Sequence, residues 1–214
     1  MSENIIRLPA GVVPFDETYI LYTDGDAVGV VCCVLALMPI LILQSYLTWL
    51  IIDRDIEAVI VALGQLANEV LNQVLKRVFK HERPGSELIA AGNGQGQGKT
   101  LSFGMPSAHS QFMGFFVSYL MVNLWTRWGH KYGILYRDKV VYSMAGMLLA
   151  LAVCVSRWYL SYHHWDQIII GYQVGVLVGL WYHLAVLFAL HPLLQWVSRH
   201  PWAAALLDHL HITL

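Results

Sequence analysis

The run AVGVVCCVLALMPILILQSYLTWLII, residues 27 to 52, holds no charged side chain. It exceeds the roughly 20 apolar residues that a helix needs to cross a bilayer. In hydrocarbon the backbone N–H and C=O groups must be satisfied within the protein, so a lone run of this kind crosses as an α-helix and commits the chain to a helical membrane bundle. Composition agrees: 57% of the 214 residues are hydrophobic and only 13% are charged, against about 25% charged in an ordinary soluble domain. The formal net charge of -1 excludes a nucleic-acid partner, whose phosphates call for clustered Lys and Arg.

Four more segments extend the pattern. The second span, 56–75, is apolar but carries Glu57, Gln65, Asn68, Glu69, Asn72 and Gln73, and polar groups at membrane depth face the bundle interior or a wet cavity. Further spans are read at 107–125, 140–155 and 168–190. The predicted fold is an all-α, polytopic integral membrane helical bundle in one domain over 1–214, with five transmembrane helices. The tail from His191, with Pro192 and Pro201, reads as an amphipathic interfacial segment, a partial sixth crossing being the alternative. Glu3, Arg7, Asp16, Glu17, Asp24 and Asp26 interrupt the first 26 residues, so no cleavable signal peptide is expected and the first span serves for targeting. The final residues HITL match no retention tail. Cys32, Cys33 and Cys154 lie in apolar runs without a CxxC pattern and read as small core hydrophobes.

Crossing parity then gathers three polar clusters on one face of the membrane. They are the basic segment KRVFKHERPG at 76–85, the stretch GMPSAH at 104–109 and SRWYLSYHHWDQ at 156–167. The cluster face carries seven Lys and Arg and the opposite face six; without Lys76, Arg83 and Arg157 it keeps four, which assigns the cluster face to the non-cytosolic side.

Each cluster has a chemical and a bland reading. Lys76 and Arg83 combine a mobile point charge with a fixed fork, complementary means of holding phosphate oxygens, although basic residues at a helix end also serve as interfacial anchors. Pro106 suits the first position of a helix, with Ser107 and Ala108 presenting free amides and the positive dipole end to an anion. His109 stands in that first turn; a capped helix with an interfacial histidine is the bland alternative. In the third cluster Arg157 adds a cation. His163, if steadied by a carboxylate such as Asp166, becomes an oriented nucleophile or base. Trp158, Tyr159, Tyr162 and Trp165 also form an aromatic interface belt. Together the clusters describe a phosphoryl-transfer site in which cations replace a metal as the clamp.

Lys76 followed by Arg83-Pro84, then PSAH at 106–109, then Ser156-Arg157 with His163, resembles the three-part signature of the type 2 phosphatidic acid phosphatase superfamily. NEVLNQVLK, GMPSAHSQFM and SRWYLSYHHWDQ are most similar to its dolichyldiphosphatase branch, over about residues 14 to 190. The resemblance implies a multi-pass endoplasmic reticulum enzyme with a lumenal site. It would hydrolyse dolichyl diphosphate without cofactor or metal, recycling the glycan carrier of N-glycosylation. Carried over, His163 attacks the terminal phosphorus and forms a phosphohistidine, His109 acts as acid and then base, and Lys76, Arg83, Ser107 and Arg157 hold the phosphoryl oxygens. Two positions depart from the superfamily pattern: Ala108 stands where glycine is usual, and Gln167 where an aspartate follows the nucleophile by four residues. Glutamine is common there in the dolichyldiphosphatases, while Asp166 at i+3 could also lie beside His163 on a helix. Asn68 and Glu69 are candidates for support beneath the site, with ordinary interhelical hydrogen bonding as the bland reading, His164 for an interface residue, and His183 for a contact with a neighbouring helix. The glycine loop at 92–98 reads as a connector, with a lid as its alternative.

Two other functions compete. One is a phosphatidate or lysophosphatidate phosphatase, or another isoprenyl-diphosphate phosphatase, and the other a non-catalytic lipid-binding protein, for which Gln167 is the sole support. A soluble haloperoxidase with the same signature is excluded by five apolar spans.

Overall fold

The structure is a computed structural model that describes residues 12–15, 20–84 and 103–211. The glycine loop at 92–98 lies outside the described residues, as do the first eleven residues and the last three. A short antiparallel hairpin, β1 (Val12–Phe15) and β2 (Ile20–Thr23), pairs Val12 with Thr23 and leads into the bundle. This hairpin adds a small strand element to an otherwise all-helical expectation.

The first span is two helices, α1 (Ala27–Leu35) and α2 (Met38–Asp53). Asp26 caps α1 by accepting the Val28 amide at 3.0 Å. Pro39 explains the break: it has no N–H, and its ring collides with the carbonyl four residues back, which belongs to Leu35, the last residue of α1. Arg54 adopts the left-handed conformation at the end of α2, and Asp55 caps α3 (Ile56–Phe79) by accepting the Glu57 amide at 2.9 Å.

Beyond residues 85–102, which lie outside the described residues, come α4 (Ala108–Trp125), the single turn α5 (Trp128–Lys131), α6 (Tyr136–Tyr159) and α7 (Trp165–Ala185). A π-helical turn, Val186–Leu190, joins α7 to α8 (His191–Ser198), so the fifth helix runs unbroken from Trp165 to Ser198. Pro192 stands one turn beyond Phe188, and the wider π turn accommodates it without a break. The tail is therefore a continuation of the last span plus α9 (Pro201–Leu210), longer than the expected 168–190.

Among the described residues four helical stretches are long and apolar enough to cross a membrane: Ala27–Asp53, Ile56–Phe79, Tyr136–Tyr159 and Trp165–Ser198. The third predicted span, 107–125, which is α4, is not one of them because it is the core. Its Ser110, Gln111, Ser118 and Asn123 are buried against protein, and so are Phe112, Phe115 and Tyr119. A helix with protein on all sides does not need the apolar surface that lipid demands.

The closest packing joins α4 to α7. Gly171, Gly175 and Gly179 recur every fourth residue on α7, and a methyl group on any of them would run into α4: into the Ser107 backbone, the Gln111 carbonyl and the Ser118 side chain. On the other side of the seam Gly114 faces the Tyr172 carbonyl. Small residues of this spacing let membrane helices approach backbone to backbone.

At the opposite membrane face from the three clusters, charges are paired rather than free. Glu57 meets Arg127 in a short ion pair and accepts Trp128 Nε1–H at 3.1 Å. Asp55 accepts from Lys131 Nζ at 3.0 Å and from the Tyr132 hydroxyl at 2.5 Å. Burial opposes the charge on Asp55, but these donors and the Glu57 amide outweigh it and hold the carboxyl below its ordinary value.

Gly175→Leu should force the α4 and α7 backbones apart, since no side-chain motion can clear a carbonyl. The expected loss is roughly 1–3 kcal/mol of stability or more, read as a fall in the thermal midpoint in detergent. Gly146→Ala, whose added methyl would meet only the Leu120 and Val117 side chains at 3.6 and 3.9 Å, should cost far less.

Candidate active site

Four segments converge where α4 begins. The end of α3 brings Lys76, the segment after it His81, Glu82 and Arg83, the end of α6 Arg157, and the turn before α7 His163. Lys76, Arg157, Ser107, His163 and Gln167 are all buried. Lys76, Arg83 and Arg157 act electrostatically on both His109 and His163, which brings the predicted cations and histidines into one pocket. Neither Lys76 nor Arg157 has a carboxylate within ion-pairing distance among the described residues, and Arg157 Nε is buried without a hydrogen-bond partner. The Arg157 guanidinium lies 4.3 Å from the centre of the Tyr162 ring. Buried positive charge with no anion beside it is costly. A bound anion would relieve that cost.

The helix N-terminus at this pocket differs in detail from expectation. Pro106 precedes the helix, with a cis peptide bond after Met105, and Ser107 is the N-cap. The Ser107 amide is committed to the Gln167 carbonyl at 3.1 Å. The intrahelical ladder begins with Gln111 N–H donating to the Ser107 carbonyl, so the amides of Ala108, His109 and Ser110 are the ones with no partner in their own helix. The Ser107 hydroxyl is hydrogen-bonded to Ser110 Oγ at 3.1 Å.

Gln167, and not Asp166, stands against His163. Gln167 Oε1 lies 3.1 Å from His163 Nδ1, while Asp166 is exposed. The helical spacing argument fails because His163 is outside the helix: α7 starts at Trp165 with His164 as its N-cap. As the third residue of the helix, Gln167 folds back over the N-terminus, accepts the His164 amide at 3.3 Å and so reaches His163. Its amide orientation is fixed from the other side, where Nε2 donates to the Glu82 carbonyl at 2.7 Å and lies 2.8 Å from His81 Nδ1. The oxygen must then face His163, so Nδ1 carries the proton and Nε2 is the free base. Gly104 makes room for this amide; a Cβ there would come within 2.7 Å of Gln167 Nε2.

Burial, followed by Arg83 and Arg157, pushes the His163 pKa from 6.5 down to about 3, and only the Gln167 hydrogen bond pulls the other way. The unfolded chain would take up a proton near 6.5 and the folded one near 3. This group therefore favours unfolding as pH drops through that window.

A polar ladder beneath the pocket was only partly legible. Asn68 Oδ1 and backbone carbonyl accept from Gln111 Nε2 at 2.9 and 3.0 Å, and Asn68 Nδ2 donates to the Gln111 carbonyl. Asn72 Nδ2 donates to Gln111 Oε1 at 2.9 Å and to the Pro106 carbonyl at 3.3 Å, and Gln65 Nε2 donates to the Phe112 carbonyl at 3.3 Å. These amides position the start of α4. Of the two residues expected to support the site, Asn68 is in this ladder. Glu69 accepts from Gln73 on its own helix at 2.6 Å. Sequence reading passed over Gln111, His81 and the glycine stripe; the four-residue period in GYQVGVLVG was the signal for the last. His164 caps α7 and is exposed, whereas His183 is buried with its ring 6.3 Å from that of Tyr119. The three cysteines are buried and free.

Residues 57–190 match the family model of the PAP2 superfamily. The chain belongs to the PAP2 superfamily. It is 45% identical over 175 residues to the dolichyldiphosphatase of Saccharomyces cerevisiae, covering 82% of this chain and 71% of that protein. It is 30% identical over 204 residues to dolichyldiphosphatase 1 of Homo sapiens, covering 94% and 82%. These relatives place it in the dolichyldiphosphatase branch of the PAP2 superfamily. A PAP2-type transmembrane phosphatidylglycerolphosphate phosphatase from Bacillus subtilis shares the fold, with a TM-score of 0.57 at 17% identity over 72% of this chain and 74% of that one. Every side chain gathered at the pocket, from Lys76 to Gln167, lies within the PAP2 match.

Gln167→Glu should set an anion against His163 Nδ1 and raise the histidine pKa out of its depressed state. Wild-type His163 stays neutral above about pH 3, so its protonation costs nothing between neutrality and pH 5. In the variant the carboxylate favours the imidazolium, and the acid limb of kcat/KM should move up toward neutrality by about one pH unit or more. Superimposable profiles would show that Gln167 does not govern this histidine.

Proposed function

We propose that the protein hydrolyses dolichyl diphosphate to dolichyl phosphate and inorganic phosphate. The observation that carries this reading is a buried pocket with Lys76, Arg83 and Arg157 around two histidines, in a chain 45% identical to a protein named for that activity. A substrate whose isoprenoid chain stays in the bilayer while its headgroup enters a polar site accounts for a hydrolase built as a membrane bundle.

In the first step the lone pair on His163 Nε2 attacks the terminal phosphorus while the bond to the bridging oxygen breaks. His109, which carries a second proton on Nδ1 when the substrate anion is bound, gives that proton to the departing lipid phosphate, and a phosphohistidine remains. In the second step His109, now a base, takes a proton from water; the resulting hydroxide attacks phosphorus and His163 departs with its electron pair. Lys76, Arg83, Arg157, the Ser107 hydroxyl and the amides of Ala108 to Ser110 stabilise charge on the phosphoryl oxygens throughout. Gln167 keeps His163 in the tautomer that leaves Nε2 nucleophilic. The supply of positive charge from side chains makes the reaction independent of a divalent ion.

The pocket faces the lumen of the endoplasmic reticulum in this reading, in line with the Lys and Arg bias. Its product re-enters the carrier cycle of N-glycosylation.

A panel assay tests the reading. Phosphate release from dolichyl diphosphate should exceed that from phosphatidate and persist in excess EDTA. His163→Ala should lower kcat by at least about a thousandfold while the protein keeps its thermal midpoint. Faster turnover of phosphatidate, loss of activity in EDTA, or an active His163→Ala enzyme would each overturn a named part of it.

A further inference from the structure

His109 makes a contact that the family signature does not contain. Its Nε2 lies 3.0 Å from the backbone carbonyl oxygen of Ala36, 73 residues earlier in the chain. Ala36 sits in the break between α1 and α2, outside the 57–190 PAP2 match. In an unbroken helix that carbonyl would be taken by the amide of Ile40. Here the Ile40 amide donates to Leu37 instead, at 3.0 Å, the Leu41 amide donates to the same carbonyl, and among the described residues no backbone amide donates to Ala36. Pro39 is the cause, because it lacks an N–H and cannot follow Leu35 without breaking the helix.

We infer that Pro39 is a positioning residue for the reaction: it breaks the first membrane helix so that the Ala36 carbonyl can hold His109 in one tautomer. A carbonyl oxygen only accepts, so Nε2 of His109 must carry the proton. In the neutral ring Nδ1 then holds the lone pair, and Nδ1 is the nitrogen that exchanges protons with the substrate and with water. His163 is fixed in the opposite sense, with its proton on Nδ1. Each histidine thus has one nitrogen held by an uncharged oxygen from a different part of the chain, Ala36 for His109 and Gln167 for His163. The anchoring group of His109 lies on the first span. Movement of that span against α4 therefore changes the acid and base without touching the phosphate clamp.

The inference rests on the functional reading above, and the test separates the two. In full-length Pro39→Ala the helix can close across residues 36 to 40, Ile40 can take the Ala36 carbonyl, and His109 loses its acceptor. Alanine favours a helix interior far more than proline does, so the thermal midpoint should hold or rise. At the same time kcat on dolichyl diphosphate should fall roughly tenfold to a hundredfold with KM within about twofold. Nitrogen-15 spectra of ring-labelled histidine, with His109 assigned by its loss in His109→Gln, should show a protonated Nε2 in the wild type and a mixture of tautomers in Pro39→Ala. Should the alanine variant lose stability, Pro39→Gly supplies the same N–H and the same spectral readout. An unchanged tautomer in both variants, or a fall in kcat that simply tracks lost stability, would overturn the role of Pro39. A wild-type enzyme inactive on dolichyl diphosphate would overturn the functional reading and leave the tautomer result standing.

Discussion

The site depends first on how closely α4 and α7 approach. Three glycines on α7 and one on α4 remove the side chains that would hold the two backbones apart, and the carbonyls of Ser107, Gln111 and Tyr172 occupy the vacated space. The Ser107 amide can then donate to the Gln167 carbonyl. That bond ties the N-terminal end of α4 to the turn carrying His163. In a bilayer helices gain little from hydrophobic burial against one another, so close van der Waals packing and internal hydrogen bonds must hold the geometry.

Around that seam the bundle sorts its polar groups by face. On one side of the membrane Asp55 and Glu57 are matched by Lys131, Tyr132, Arg127 and Trp128, a fastening that satisfies its own charges. On the other, Lys76 and Arg157 are buried with no carboxylate beside them among the described residues. The amides of Gln65, Asn68, Asn72 and Gln111 connect the interior between them. Paired charge adds structure; unpaired buried charge is a standing electrostatic cost that an anionic headgroup offsets.

Both histidines are held by neutral oxygens, which has a chemical consequence. A carboxylate beside His163 would favour its imidazolium, whereas the amide of Gln167 orients the ring without adding charge, and burial followed by the surrounding cations disfavours its protonation. The departure from the superfamily's usual aspartate is therefore compatible with a nucleophile that stays neutral in the pocket.

The sequence by itself determined the membrane bundle, because an uncharged run such as 27 to 52 has no stable form in hydrocarbon other than a helix. It also determined which face the polar clusters share, since parity needs only the order of spans. Lys76, Arg83, Ser107, His109, Arg157 and His163 could be proposed for one site from their place in those clusters and from the resemblance to the superfamily signature, while each cluster taken alone also had a bland reading. Only the tertiary structure decided what steadies each histidine. Counting i+3 and i+4 from His163 assumed a helix that begins two residues later, and the Gln167 side chain reaches back in a way that spacing does not encode. The Ala36 contact spans 73 residues and arises from a hydrogen bond that Pro39 prevents. Local pattern cannot express either contact, because both depend on where separate helices are brought together.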